Sequence, residues 1–341
     1  IAGVLHGLFA GVWGSVAIWY SVRMTLDGLI AWGLLDPAAV ANGGGALESP
    51  LVLIALAFWT FIIVSAVGIN LTAVITALMK VYWPFAGLVL AAAAGWAWSR
   101  GGTPASPAVS SGPLVPGAFQ YIFAAFAFAG LTAVDWGGVV RDRRDVRLGG
   151  FVGLLGPGAV AFLAASILAT VGATGSIRAT FVDGTFGPWA GGALSLLFGL
   201  ASLAPAVFST ALFRTRFRGH WPALRGRAGA LAGFLALFLP GALGWSAHVE
   251  TIAGISGAFF APLAGLLMVE SFRRRPGMIR PGWSVPGVVA WGLGAAVGLA
   301  PIIAASAGAS WPGSFPPPAL MGYLASSIAY IVLSTASKAD S

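Results

Sequence analysis

Residues 50–69 read PLVLIALAFWTFIIVSAVGI, twenty residues without a charge. A helix that crosses a bilayer needs about 20 mostly apolar residues. Working outward, nine more such runs follow, roughly 5–34, 71–98, 117–137, 149–174, 189–213, 228–246, 249–271, 284–306 and 318–336. The connections carry loop chemistry: Asn42-Gly43-Gly44-Gly45, and the Pro- and Ser-bearing stretch from Gly101 to Pro116. The expected fold class is all-α integral membrane, with ten transmembrane helices in a single polytopic domain over residues 1–341.

Composition agrees. Of 341 residues, 58% are hydrophobic and 8% charged, and the mean hydropathy is +0.90. A soluble domain carries roughly 25% charged residues. This chain has too few to cover a water-facing surface, which excludes a soluble enzyme, a secreted disulfide domain and a nucleic-acid binder. A membrane β-barrel would need polar/apolar alternation, which is absent. With no cysteine there is no disulfide, thiolate metal site or Cys nucleophile.

The net charge of +8 is topological. Arg141, Arg143, Arg144 and Arg147 follow span four. Arg214, Arg216, Arg218, Arg225 and Arg227 follow span six. Arg273, Arg274, Arg275 and Arg280 follow span eight, and Lys338 lies in the tail. With alternating spans these 14 basic residues fall on one side and only Arg100 and Arg178 on the other. The rule places the basic loops and both termini in the cytoplasm, with the chain in the cell membrane. The first run is too long for a cleavable signal peptide and lacks a small-residue cleavage site. The chain starts at Ile1 and enters a span almost at once, so the natural N-terminus is expected to lie upstream.

Breakers inside the spans point to transport. Gly153 and Gly156-Pro157-Gly158 interrupt span five, and Pro205, Pro240 and Pro262 lie in spans six, seven and eight. Such residues free backbone polar groups, which must face protein or a wet cavity, and transporters build binding sites there. The alternative is close packing through small residues, as Gly294-xxx-Gly298 suggests.

Two charges in span one stand out. Arg23 and Asp27 share a helical face, and Trp19 extends it to an i, i+4, i+8 stripe. A charge at this depth costs a few kcal/mol. The stripe is either a polar wall of a substrate path or a structural salt bridge. Lys80 in span three is either a coupling group or a snorkelling lysine. Asp135 closes span four beside the Arg-rich loop. Glu250, His248 and Glu270 sit near span ends. His6 and His220 lie far apart, and no HExxH, GxSxG, P-loop or Asp-rich motif occurs. No enzyme, cofactor, metal site or ATP-driven pump is expected. Trp13, Trp19, Phe123, Phe126 and Phe128 offer flat apolar faces near mid-membrane.

Three stretches together resemble the nucleobase:cation symporter-1 family, permeases for cytosine, purines, uracil, allantoin, hydantoin and thiamine. Gly257-Ala258-Phe259-Phe260-Ala261-Pro262-Leu263-Ala264-Gly265, then Glu270 and Arg273-Arg274-Arg275, resembles the family's tenth-helix pattern. Asp135-Trp136, then Arg141-Asp142-Arg143-Arg144-Asp145 and Gly149-Gly150, resembles the signature after its sixth helix. Trp13-Gly14-Ser15-Val16-Ala17-Ile18-Trp19 is similar to its third helix.

The resemblance implies a truncated five-plus-five inverted-repeat transporter fold lacking the first two helices. Residues 1–98 would be the remnant of the first repeat, 117–271 the second repeat, and 284–336 two additional helices. It implies Trp13 against the substrate, Ala17 in place of a Gln, Ala125 and Phe126 lining and stacking on the ring, and Ser209 in place of an Asn. With both amides gone, Arg23 would supply a replacement donor. The sodium positions fall on Leu200, Leu203 and Ala204, which carry no side-chain oxygen, although Ser202 and carbonyls near Pro205 lie close. A hard cation needs oxygen ligands, so proton coupling is favoured over sodium, with Asp27 and Lys80 as coupling candidates. The expected function is a secondary permease for a small nitrogen heterocycle, working by alternating access in the lipid bilayer. The alternatives are an uncoupled channel or facilitator, or a non-transport membrane subunit.

Overall fold

A computed structural model describes residues 2–40, 49–69, 72–99, 142–148, 159–161, 163–164, 167–168, 180–181, 186–220, 226–273, 284–308 and 317–339. Expected span four (117–137), most of span five, Ala125, Phe126, Asp135 and Gly156-Pro157-Gly158 lie outside these residues. Among the described residues the regular structure is entirely helical: α1 (Ala2–Ala31), α2 (Pro50–Gly68), α3 (Thr72–Ser99), α4 (Arg143–Leu148), α5 (Gly187–Ala201), α6 (Leu203–His220), α7 (Gly226–Ala242), α8 (Val249–Arg273), α9 (Val285–Ser306) and α10 (Pro318–Ala339). Among the described residues, seven helical segments are long and apolar enough to cross a membrane, with α5 and α6 counted together as Gly187–Phe217. The chain therefore has the build of an all-α multi-pass membrane protein.

Local chemistry explains the helix ends. Gly33, at φ 72°, turns the chain out of α1. Its N–H donates to the Ile30 carbonyl and that of Leu34 to the Leu29 carbonyl, a glycine-terminated cap. The first span thus stops at Ala31, short of the expected residue 34. The Ser49 hydroxyl caps α2 by accepting from the Val52 N–H, with Pro50 in the first helical turn, where its missing N–H costs nothing. The same hydroxyl donates to the Ala39 carbonyl at 2.8 Å. Asp142 begins α4, accepting from the Arg144 and Asp145 N–H groups at 2.8 Å each. Gly244, at φ 78°, ends the seventh run early, so α7 stops at Ala242 and a short 3-10 turn, Trp245–Ala247, follows.

Expected span six is two helices. The turn at Ser202 separates α5 from α6, and the Ser202 N–H still reaches the Phe198 carbonyl at 3.1 Å. Pro205, in the first turn of α6, has no N–H to offer the Ala201 carbonyl. Pro240 and Pro262, by contrast, lie inside unbroken helices.

The chain divides into two compact units, Ile1–Ser110 with Arg147–His248, and Ser111–Val146 with Val249–Ser341. In the first, α1 is the central helix. Gly7 faces Phe217, Gly11 faces Phe213, Gly14 faces Ser209, and Gly28 faces Leu196. Rising numbers on α1 meet falling numbers on α6 and then α5, so α1 runs antiparallel to both. A side chain at Gly28 would stand 3.0 Å from the Gly192 carbonyl oxygen, so the small residues set the helix spacing. Another side of α1 carries Ile18, Trp19, Val22 and Leu26 into a core shared with Leu56 and Ile63 of α2, Val207 of α6 and Leu237 of α7. Leu90, Ala94 and Ala97 of α3 join Leu168 and Phe181 in a second cluster.

In the second unit α8, α9 and α10 pack around small residues. Gly294 and Gly322 stand backbone to backbone beside Pro262. The Ser326 hydroxyl donates to the Pro262 carbonyl at 2.8 Å, and the Trp291 indole to the Phe259 carbonyl at 2.9 Å. α8, which the family resemblance assigns to the second repeat, packs here with the two helices it counts as additional. Apolar side chains point outward on α2, α7 and α10, among them Phe58, Phe61, Leu231 and Ile328, as lipid-facing surfaces do.

Candidate functional site

The candidate site is built on α1. Its glycine stripe meets α5 and α6, and its Ile18/Val22/Leu26 side meets the core. The helical period leaves a third stripe of Phe9, Trp13, Val16, Tyr20, Arg23 and Asp27, spaced alternately four and three apart. Arg23 and Asp27 are buried, with exposures of 7% and 6%, and Val16 is also buried. Trp13 and Tyr20 are half-buried. The Arg23 guanidinium carbon lies 5.6 Å from the centre of the Trp19 ring, within cation–π range. An exposed guanidinium would gain little there, but a desolvated one gains on the order of 2 kcal/mol.

Ser209 is buried on α6. A side chain at Gly14 would come 3.2 Å from its Cβ. The missing side chain at Gly14 thus sets Ser209 beside the α1 backbone, level with Trp13 and one turn from Ala17. Ala17 is half-buried, and its carbonyl accepts the Ser21 hydroxyl at 3.1 Å. Trp13, Ala17 and Ser209 therefore share a level on two touching helices. Arg23 lies on the same helix, farther along. Ala125 and Phe126 lie outside the described residues, so the other wall of the expected slot does too.

Lys80 is exposed on α3. At the expected sodium positions, Leu200 is exposed, and Leu203 and Ala204 are half-buried. The neighbouring Ser202 hydroxyl donates to the Phe198 carbonyl at 3.1 Å and keeps its lone pairs for a further partner. Gly199, one turn before the break, faces Thr25 and the Ser21 carbonyl. The helix break thus lies level with the middle of α1, close to Arg23 along its axis.

Two features had no expectation attached. Tyr20 belongs to the same stripe; the spacing of seven from Trp13 and three from Arg23 was the available signal. A cavity of about 320 Å³ opens between α2, α6 and α7, lined by Thr210, Arg214 and Arg227 among others. Its arginines had been assigned to topology alone.

Comparison with protein-family models, with curated proteins and with solved structures gives no match.

Proposed function

We propose that the chain is a secondary permease for a small nitrogen heterocycle of nucleobase, allantoin, hydantoin or vitamin-precursor type, moved by alternating access and coupled to protons. The observation that carries this is the burial of Arg23 and Asp27 on the same stripe of α1 as Trp13 and Tyr20. Arg23 and Asp27 lie eight and four residues from the end of α1, and burying a charge inside a span costs up to about 3 kcal/mol on insertion scales, the most at its centre. Charged residues inside spans face the bundle interior, where they pair with each other or mark a substrate or ion path. A ring stacked on Trp13 presents its carbonyl and amide edges to the side. Arg23 is the replacement donor on the same helix, and Ser209 offers one hydroxyl. Asp27, buried one helical turn beyond Arg23, is the candidate coupling group. The substrate class comes from the stretches that resemble the nucleobase:cation symporter-1 family, and the helix break at Ser202 supports a transport role.

A ligand screen tests the proposal. The purified protein is heated with cytosine, uracil, purines, allantoin, hydantoin and thiamine precursors. A true ligand at 100 times its Kd stabilises the fold by about 2.7 kcal/mol. Arg23→Ala is expected to abolish that gain. In liposomes, uptake of the same compound should follow an imposed pH gradient and ignore sodium at constant pH. Unchanged stability with every heterocycle and no saturable uptake would sink the permease assignment, and uptake that collapses without sodium would overturn the proton coupling.

A further inference from the structure

Between Asp183 and Glu250 the chain carries no acidic residue, yet it carries Arg214, Arg216, Arg218, Arg225 and Arg227. Topology alone asks only that these lie on one side of the membrane. The structure does more with two of them, because Arg214 and Arg227 line the cavity between α2, α6 and α7. An Arg214 Nη–H donates to the Val67 carbonyl at 2.6 Å, at the end of α2. This fixes the guanidinium in the cavity wall while most of its five donors remain. Arg227 is exposed in the first turn of α7. Neither arginine forms an ion pair among the described residues.

The remaining lining fits an anion with an apolar attachment. Val64, Val67 and Phe213 form an apolar side. α7 begins at Gly226, at φ 65°, and Gly226 lines the cavity, so the N-terminal end of the helix lies beside it. The start of the helix dipole adds positive potential near the two guanidinium groups. Gly68 and Gly233 line the cavity as well, and a Cβ at either would meet no atom within 4 Å. The space is therefore kept open by missing side chains. A volume of about 320 Å³ admits a phosphate ester. The cavity lies where the apolar runs of α2 and α7 end, the depth at which lipid phosphates sit.

We propose that this cavity binds a phosphate group, held by a fork from Arg214 and Arg227. The group is either the phosphodiester of a lipid of net negative charge, whose headgroup carries no ammonium to compete with the arginines, or a soluble phosphate. The test is thermal unfolding of the purified chain in neutral detergent. It is titrated with short-chain phosphatidylglycerol, phosphatidylcholine of the same chain length, and inorganic phosphate against sodium chloride of equal ionic strength. The expected result is a saturable rise in Tm with phosphatidylglycerol or inorganic phosphate, absent with phosphatidylcholine and chloride. A rise with the lipid alone identifies the headgroup as the source, and a rise with both identifies the phosphate itself. Arg227→Glu should weaken the effect about tenfold or more, as losing a charge-assisted contact does. Gly233→Leu should remove it by filling the space while leaving every charge in place. Equal shifts with phosphatidylcholine or chloride, or parent-like binding in Arg227→Glu, would overturn the proposal. Arg227 is exposed, so its reversal leaves the fold intact even where Gly233→Leu does not.

Discussion

Gly294 and Gly292 lie on the same helix two residues apart, and replacing each by alanine should have opposite effects. At Gly294 an added Cβ would stand 2.6 Å from the Gly322 carbonyl oxygen, 2.7 Å from the Ser326 Cβ and 2.8 Å from the Pro262 Cβ. Carbon contacts settle near about 3.5 Å, so α9 and α10 must part by roughly 1 Å. None of those three atoms is the tip of a flexible chain. Overpacking of this kind costs about 1–3 kcal/mol, and the parting also strains the Ser326–Pro262 hydrogen bond, worth about 1 kcal/mol. The helix gains about 1 kcal/mol in return from losing a glycine. The net loss for Gly294→Ala is about 1–3 kcal/mol. Gly292 is exposed and an added Cβ meets nothing within 4 Å, so Gly292→Ala keeps the gain of up to about 1 kcal/mol. The two variants should differ by about 2–4 kcal/mol in mixed-micelle unfolding followed by helical circular dichroism. A difference below about 0.5 kcal/mol would refute the close approach of α9 and α10 at Gly322.

Three further outcomes are expected. Ser15 and Ser246, both fully buried, share a hydrogen bond of 2.8 Å; either one changed to Ala leaves the other hydroxyl unsatisfied and costs about 1–3 kcal/mol, whereas the double variant costs less than the sum in a double-mutant cycle. The Ser195 hydroxyl is buried without a hydrogen-bond partner among the described residues, so Ser195→Ala should stabilise the protein by about 1 kcal/mol or more; a loss of stability would contradict the burial. Arg23→Met leaves the Asp27 charge in place and should destabilise the protein by about 3–5 kcal/mol, while Arg23→Met combined with Asp27→Leu should recover most of that loss in the same assay. Additive losses would show that the two charges do not offset each other.

Much of the fold was legible because the bilayer imposes a simple rule. A helix must be about 20 apolar residues long to satisfy its backbone across lipid. Runs such as 50–69, 249–271 and 318–336 therefore coincide closely with α2, α8 and α10. The boundaries moved where one residue controls the backbone. Gly33 and Gly244 take positive φ and end helices inside apolar runs, and Pro205 accompanies a break while Pro240 does not. Hydropathy cannot distinguish these cases, because it weighs side chains and not backbone hydrogen bonds. At the site, the 3.6-residue period brought Arg23 and Asp27 onto one side of α1, and that much needed no coordinates, whereas Trp19, expected on the same stripe, packs into the core beside it. Tyr20 is the exception: its spacing of seven from Trp13 and three from Arg23 is in the sequence, but an aromatic in an apolar helix packs by default, and only its place on the stripe beside two buried charges sets it apart.

Amino-acid order alone dictated the class of molecule, the positions of most spans and the shared helical face of Arg23 and Asp27, since lipid burial and helical periodicity are local properties of the chain. Assembly in three dimensions settled the rest. It set Ser209 against Gly14 across nearly two hundred residues, and it brought Arg214 to the end of α2 and opposite Arg227 around an open space. Contacts of that kind depend on which helix faces which, and that choice is made by the fit of small side chains between helices, a property of surfaces and not of sequence neighbours.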